Sequence, residues 1–305
     1  MTEFLANLTE AAGGAERVVT EELMKKHTTF RTGGPAAYYV TPFSEKEIAA
    51  VVSLCRRKHV PYYILGNGSN LLVSDKGYDG VVISMTKGFS GIEVQDQTVT
   101  AGSGALLSRI AKAALEESLT GLEFAAGIPG TLGGAVVMNA GAYGGEMKQV
   151  LQSVSVLTKE GQVKEIPAEE LELGYRKSCI QREGYVVISA KLLLKKGEKA
   201  EIQAQMEDFA ARRREKQPLE YPSGGSTFKR PEGYFAGKLI EDAGLKGFTV
   251  GGAQVSEKHS GFVINRNNAT SSEVYELCQQ VQARVMEKFG VSLEMEVKRL
   301  GDFSE

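Results

Sequence analysis

The chain has 305 residues, 42% apolar and 24% charged, with a formal net charge of −2; such a composition fills sizeable cores over one or two domains and disfavours a general nucleic-acid binder, which would be basic. No apolar run approaches the roughly 20 residues needed to cross a bilayer, and the acidic start around Glu3 and Glu10 does not read as a secretory signal. Three scattered cysteines (Cys55, Cys179, Cys278) and three histidines (His27, His59, His259) offer no disulfide framework, no thiol redox pair and no metal site, and each cysteine is expected as a half-buried small hydrophobe.

In chain order, residues up to about 25 read as one or two helices leading into the main domain. The turn-rich segment 27–36 runs into a strand at Tyr38-Tyr39-Val40. Ser44 and Glu47 stand at capping-box spacing ahead of Ile48, Val51, Val52 and Cys55, which predicts a helix to about His59. Residues 65–73, Leu-Gly-Asn-Gly-Ser-Asn-Leu-Leu-Val, form a tight Gly-rich turn between two apolar runs. Glycine there permits positive φ and close approach, and consecutive N–H groups of such a turn can cradle an anion. A plain Gly-Asn hairpin turn is the simpler alternative. The dinucleotide fingerprint fails, because Leu71 occupies the third glycine position and a strand rather than a helix follows.

Val81-Val82-Ile83 predicts a strand, residues 92–101 a hairpin, and Leu106, Ile110, Ala113 and Ala114 a helix. Residues 126–145 then combine dense glycine with Ile128, Leu132, Val136 and Met138. Ordering so much glycine costs backbone entropy, and the apolar residues look buried. Close approach of this backbone to another group is therefore expected rather than a mobile surface loop. A hairpin over 154–166, a short helix from Pro167, a strand over 185–194 and a charged helix over 199–216 follow, with Arg212-Arg213-Arg214 as a solvated face. The remainder reads as a second α+β domain: a turn at 223–231, a helix over 236–243, a strand near 262–264, and a helix over 271–289 with Thr270 and Glu273 at capping-box spacing. Residues 291–297 alternate as a last strand, placing Glu294 and Glu296 on one face.

Six stretches together resemble the UDP-N-acetylenolpyruvoylglucosamine reductase family, flavoenzymes of bacterial peptidoglycan synthesis. They are Thr28-Thr29-Phe30-Arg31-x-Gly33-Gly34-Pro35-Ala36, Leu65-Gly66-Asn67-Gly68-Ser69-Asn70, Ala126-Gly127-Ile128-Pro129-Gly130-Thr131-x-Gly133-Gly134, Tyr175-Arg176-x-Ser178, Gly225-Ser226-x-Phe228 and Leu293-Glu294-x-Glu296-Val297. They occur in the family's order and span nearly the whole chain. His27, Gly224 and Met295 depart from its commoner residues, and the chain resembles the shorter type, which lacks an inserted tyrosine-bearing loop.

The resemblance implies an α+β fold: a helical lead-in over 1–26, an FAD-binding domain of the vanillyl-alcohol-oxidase type with two subdomains over 27–198, and a substrate domain over 199–305. It implies non-covalent FAD, held by Arg31, by Gly66, Asn67, Gly68, Ser69 and Asn70, and by Gly127, Ile128, Pro129, Gly130, Gly134, Asn139 and Gly141. It implies NADPH as hydride donor, UDP-N-acetylglucosamine enolpyruvate as substrate, and a cytoplasmic enzyme without nucleic-acid partners or membrane insertion. Arg176 would be the cation at the substrate carboxylate, Ser226 the proton donor, and Glu296 the third catalytic group. Alternation alone does not separate Glu296 from Glu294; the family pattern selects Glu296. Tyr175, Lys216 and Arg230 would bind substrate. Another FAD oxidase of the same fold, or a non-catalytic nucleotide-binding module, are the competing expectations.

Overall fold

The computed structural model describes residues 3–304. The helix α1 (Glu3–Ala11) leads into β1 (Val18–Leu23), so the expected helical lead-in ends early: Val18, Val19 and Thr20 are β-branched and favour an extended chain. After β2 (Pro35–Val40) comes α2 (Glu45–Arg57). Ser44 caps α2 by accepting the Glu47 N–H, but the Glu47 carboxylate turns away to Arg17 and the Phe43 N–H, so the capping box is only half made. Next are β3 (Tyr62–Leu65), β4 (Leu71–Val73), β5 (Tyr78–Ser84), β6 (Ile92–Gln95) and β7 (Thr98–Gly102). Then follow α3 (Leu107–Glu116), β8 (Leu119–Thr120), α4 (Leu132–Val137) and the pair β9 (Gly141–Ala142) and β10 (Gly145–Glu146). The chain continues through β11 (Leu151–Leu157), β12 (Val163–Pro167), α5 (Cys179–Glu183), β13 (Val186–Leu193), β14 (Lys195–Lys196) and α6 (Lys199–Lys216). Its last part holds α7 (Ala236–Asp242), β15 (Thr249–Val250), β16 (Ala253–Val255), β17 (Val263–Asn265), α8 (Ser271–Phe289) and β18 (Lys298–Leu300).

β3 and β4, which flank the Gly-rich turn, do not pair with each other. β3 runs parallel to β5, and β4 runs parallel to β18. A hairpin turn is thereby excluded at 65–73.

The chain divides into two compact units, each discontinuous in sequence. The first takes the chain up to Thr20, Tyr38–Asn67 and Gly80–Arg212. Its five-stranded antiparallel sheet has the order β12-β11-β13-β7-β6. Val99, Val154 and Leu192 from that sheet pack with Ile110 of α3 and Leu132 and Val136 of α4. A separate core gathers Leu8, Ile48, Val51, Ile83 and Ile188.

The second unit takes Glu21–Ala37, Gly68–Asp79 and the chain from Arg213 onward. The sheet β15-β16-β17 packs on α8 through Val255, Val263, Leu277 and Val281. Thr270 and Glu273 close a full capping box on α8, as the spacing predicts.

The regular last strand expected at 291–297 is not formed. Met295 makes an isolated bridge to Phe228, and β18 begins only at Lys298. The change of partner explains it: Glu294 and Glu296 pair with Lys229 and Thr227 through the backbone, while Lys298 already bonds Asn70 O. Alternation breaks where the partner changes. Glu296 and Val297 are both buried, and Glu294 is exposed.

Candidate functional site

In the first unit the site residues gather around α4. β3 delivers Asn67, whose Nδ2 donates to Pro129 O at 2.7 Å and ties the turn to the 127–130 loop. A Cβ on Gly66 would collide with Thr131 Oγ1, so glycine is needed there for the loop and the turn to meet. Thr131 stands at the N-terminal boundary of α4, is 2% exposed, and its hydroxyl has no hydrogen-bond partner in the protein. An unpaired buried hydroxyl costs roughly 1–3 kcal/mol. Such an atom among glycines calls for a ligand to satisfy it. Gly127, Pro129 and Gly134 are exposed beside it, with Ile128 and Gly130 part-buried and no charged side chain in the stretch. This cradle suits a large, flat, already anionic cofactor that needs backbone donors and close approach. The residues fit FAD.

Gly141 lies in β9, where a Cβ would meet Gly145 O at 2.6 Å. Asn139 is 2% exposed at a φ of +44°. Its amide is committed to the protein: Nδ2 donates to Glu146 Oε2 at 3.0 Å and Gly174 O at 3.3 Å, and Oδ1 accepts Lys148 N–H at 2.9 Å.

Tyr175 and Arg176 occupy the tip of a turn closed by the pair Gly174 and Lys177. Arg176 takes a φ of +55°. A non-glycine residue there costs about 1–2 kcal/mol, and strain of that kind concentrates at functional sites. The Arg176 guanidinium lies 5.4 Å from the centroid of the Tyr175 ring, which is 57% exposed.

In the second unit, Gly68 has a φ of +61°, and a Cβ on it would collide with the carbonyl oxygen of His27. Its close approach is thus to the chain's own segment 27–29, whose Thr29 N–H bonds Gly68 O at 3.2 Å. Asn70 Nδ2 donates to Glu296 O at 3.2 Å, while Asn70 O accepts Lys298 N–H at 3.0 Å. Ser69 is part-buried between them.

Ser226 is exposed and follows Gly225, which has a φ of +77° and open space around it. The next residue anchors this turn. Thr227 is fully buried, its N–H bonds Gly261 O at 2.9 Å, and its Oγ1 accepts Val263 N–H at 2.8 Å. The Thr227 carbonyl accepts Glu296 N–H at 2.8 Å, so Ser226 and Glu296 sit on directly bonded segments. Burial also separates the two glutamates. Glu296 is 7% exposed, whereas Glu294 reaches into solvent and pairs with Lys229.

The remaining expected residues are more dispersed. Arg31, at a φ of +57°, lines a cavity of about 560 Å³ with Lys25, Asp75, Tyr221 and Arg266. The Asp75 carboxylate there is committed to the start of α8, accepting from Ser271 N–H and from the N–H and Oγ of Ser272. Lys216 ends α6 and is exposed. Arg230 is exposed over the Phe235 ring, 4.0 Å from its centroid.

Thr131 and Ser178 stand inside two of the sequence motifs without carrying an expected role. Thr131 is legible in the sequence as the one hydroxyl side chain among the apolar residues and glycines of 126–134. Among the described residues no cluster of His, Cys, Asp and Glu could hold a metal ion, and no helix is long and apolar enough to cross a membrane.

Residues 36–167 match a family model described as an FAD binding domain, and residues 217–300 match the C-terminal domain of UDP-N-acetylenolpyruvoylglucosamine reductase. A protein of that name from Clostridium perfringens (strain SM101 / Type A) is 54% identical over 286 residues, covering 94% of each chain. Another, from Agathobacter rectalis, is 54% identical over 298 residues, covering 94% of this chain and 95% of its own. The crystal structure of UDP-N-acetylenolpyruvylglucosamine reductase from Thermus caldophilus superposes with a TM-score of 0.81 at 38% identity, over 93% of this chain and 99% of that one.

Proposed function

This chain belongs to the UDP-N-acetylenolpyruvoylglucosamine reductase family and is an FAD-dependent oxidoreductase; from that premise we propose that it reduces UDP-N-acetylglucosamine enolpyruvate to UDP-N-acetylmuramate with NADPH, in the cytoplasm. The family matches support a division in which residues 27–198 hold FAD and 199–305 serve the substrate. With neither His nor Cys in the stretches 65–73 and 126–145, the cofactor is dissociable.

When held by these residues, FAD would supply the two-electron chemistry that couples oxidation of NADPH to reduction of the enolpyruvyl double bond. The protein must then stabilise negative charge at the carboxylate and add a proton at the adjacent carbon. Arg176 supplies the permanent positive charge, since its planar fork matches a carboxylate and a preorganised cation is most effective where charge develops. Its turn holds it in a costly backbone conformation, in keeping with that task. Ser226 supplies the proton. Its hydroxyl projects from a glycine-preceded turn whose following residue is rigidly held. Glu296 polarises the carboxylate or a water beside it. Tyr175, Lys216 and Arg230 bind the substrate.

The observation that carries this reading is the backbone bond from Glu296 N–H to Thr227 O, which fixes the buried glutamate one residue from the exposed Ser226. A Ser226→Ala holoenzyme tests it. NADPH should still reduce the flavin, while reoxidation by the enolpyruvyl substrate should fall by about a hundredfold or more. Equal losses in both half-reactions would remove Ser226 from the proton-donor role. Failure of the substrate to accelerate NADPH oxidation by the unmodified protein would overturn the proposed reaction.

A further inference from the structure

The Arg176 turn is held from both sides by side chains that the reaction itself does not use. Gly174 and Lys177 close it with reciprocal backbone bonds of 3.1 and 3.2 Å, leaving Tyr175 and Arg176 at the tip. A two-residue tip bearing a long, flexible side chain is not rigid by virtue of those bonds alone. On one side, Asn139 Nδ2 donates to Gly174 O at 3.3 Å. On the other, Ser178 Oγ donates to Val137 O at 2.7 Å. Both ties run to the same place, the C-terminal end of α4, where Val137 is the last helical residue and Asn139 follows two positions later.

The anchor is itself immobilised. Asn139 is buried, and its second Nδ2 hydrogen goes to Glu146, which shares a reciprocal capping box with Gln149. The amide's two donors and its acceptor are thereby all used. Asparagine is also one of the few non-glycine residues that tolerate the left-handed backbone at this position.

We propose that Asn139 and Ser178 are positioning residues for Arg176: together they clamp the two ends of its turn to the end of α4, so that the guanidinium is aimed before substrate arrives. This assigns Asn139 to the substrate half of the reaction instead of to cofactor contact, and explains why a serine stands two residues after the arginine. The inference rests on the reading of Arg176 as the cation at the substrate carboxylate.

The test compares both half-reactions in FAD-loaded Ser178→Ala, Ser178→Thr and Asn139→Ala proteins by rapid mixing, with flavin content and thermal midpoint recorded alongside. Ser178→Ala and Asn139→Ala should slow reoxidation by the enolpyruvyl substrate about tenfold or more, because small misplacements of a catalytic group have large effects. Reduction by NADPH should stay within about twofold, and Ser178→Thr, which keeps the hydroxyl, should recover most of the loss. In an Arg176→Lys background, Ser178→Ala should add less than about a twofold loss, since residues acting through one another are non-additive. Equal losses in both half-reactions, or full additivity with Arg176→Lys, would overturn the clamp. If Asn139→Ala does not retain flavin, Ser178→Ala carries the test alone. A slow Arg176→Lys enzyme beside a full-rate Ser178→Ala enzyme removes only the clamp; a full-rate Arg176→Lys enzyme removes the role of Arg176 and the clamp with it.

Discussion

Glycine at residue 68 and threonine at residue 131 show how differently two small residues of one motif set can be constrained. Gly68 combines a positive φ with backbone against its missing side chain, whereas Gly161, at a φ of +80°, has nothing within 4 Å. Gly161→Ala should therefore cost only the left-handed strain of about 1 kcal/mol, and Gly68→Ala at least about 2 kcal/mol more. Urea unfolding of the two variants would compare them, and equal costs would contradict the packing account. Thr131 is the converse case, a group whose partner is not protein. Thr131→Val should leave the apoprotein as stable or slightly more so, yet weaken FAD binding about tenfold, equivalent to about 1.4 kcal/mol. Titrating apoprotein with FAD by fluorescence reads this directly. His259 supplies a pH effect. Burial holds its imidazole below the usual histidine range, and its Nδ1 accepts the Gly261 N–H at 3.1 Å. A histidine with a depressed folded pKa binds fewer protons when folded. Its contribution to stability is then complete above the unfolded value of about 6.5 and is lost as pH falls below it. The thermal midpoint should drop between pH 7.5 and 5.5, and less so in His259→Gln.

At the scale of elements, α8 shows local and distant signals cooperating. Its capping box is written in four consecutive residues, Thr270 to Glu273. Its remaining amino-terminal donors are met by Asp75, 196 positions away in sequence. Asp75→Ala should therefore destabilise the protein by about 1–2 kcal/mol, as removal of an N-cap does, with the negative charge at the helix N-terminus adding to the effect. Chemical denaturation would check the magnitude, and a change within error would mean that water replaces the carboxylate. Residues 291–297 show the opposite relation. Their alternation is that of a strand, but a segment that changes partner between Met295 and Lys298 does not keep one face throughout. That local irregularity turns Glu296 inward while Glu294 stays in solvent. The Gly-rich turn behaves similarly, since its two flanking strands end in different sheets.

Over the whole molecule, all three cysteines are buried, more deeply than their half-buried expectation, and free. Burial pushes the Cys55 thiol up to about 11 and the Cys278 thiol up to about 12. The folded protein should thus react with no equivalents of a thiolate-seeking reagent at neutral pH and with three once unfolded; rapid labelling of native protein would contradict this burial. The sequence by itself determined the α+β class, most helices and strands, and the family, because periodicity, caps and turn chemistry are local properties and six motifs in order are specific. Through the family resemblance it also marked Arg176, Ser226 and Glu296 as candidates, though alternation alone left Glu294 and Glu296 equivalent. Only the tertiary structure decided that residues 21–37 and 68–79 join the unit formed by the carboxyl-terminal part of the chain. It buried Glu296 and left Glu294 in solvent, where alternation put both on one face, and it alone showed Asn139 and Ser178 bonded to the two ends of one turn. Those outcomes depend on which distant backbone atoms meet, and loop closure between residues far apart in the chain leaves no local pattern to read.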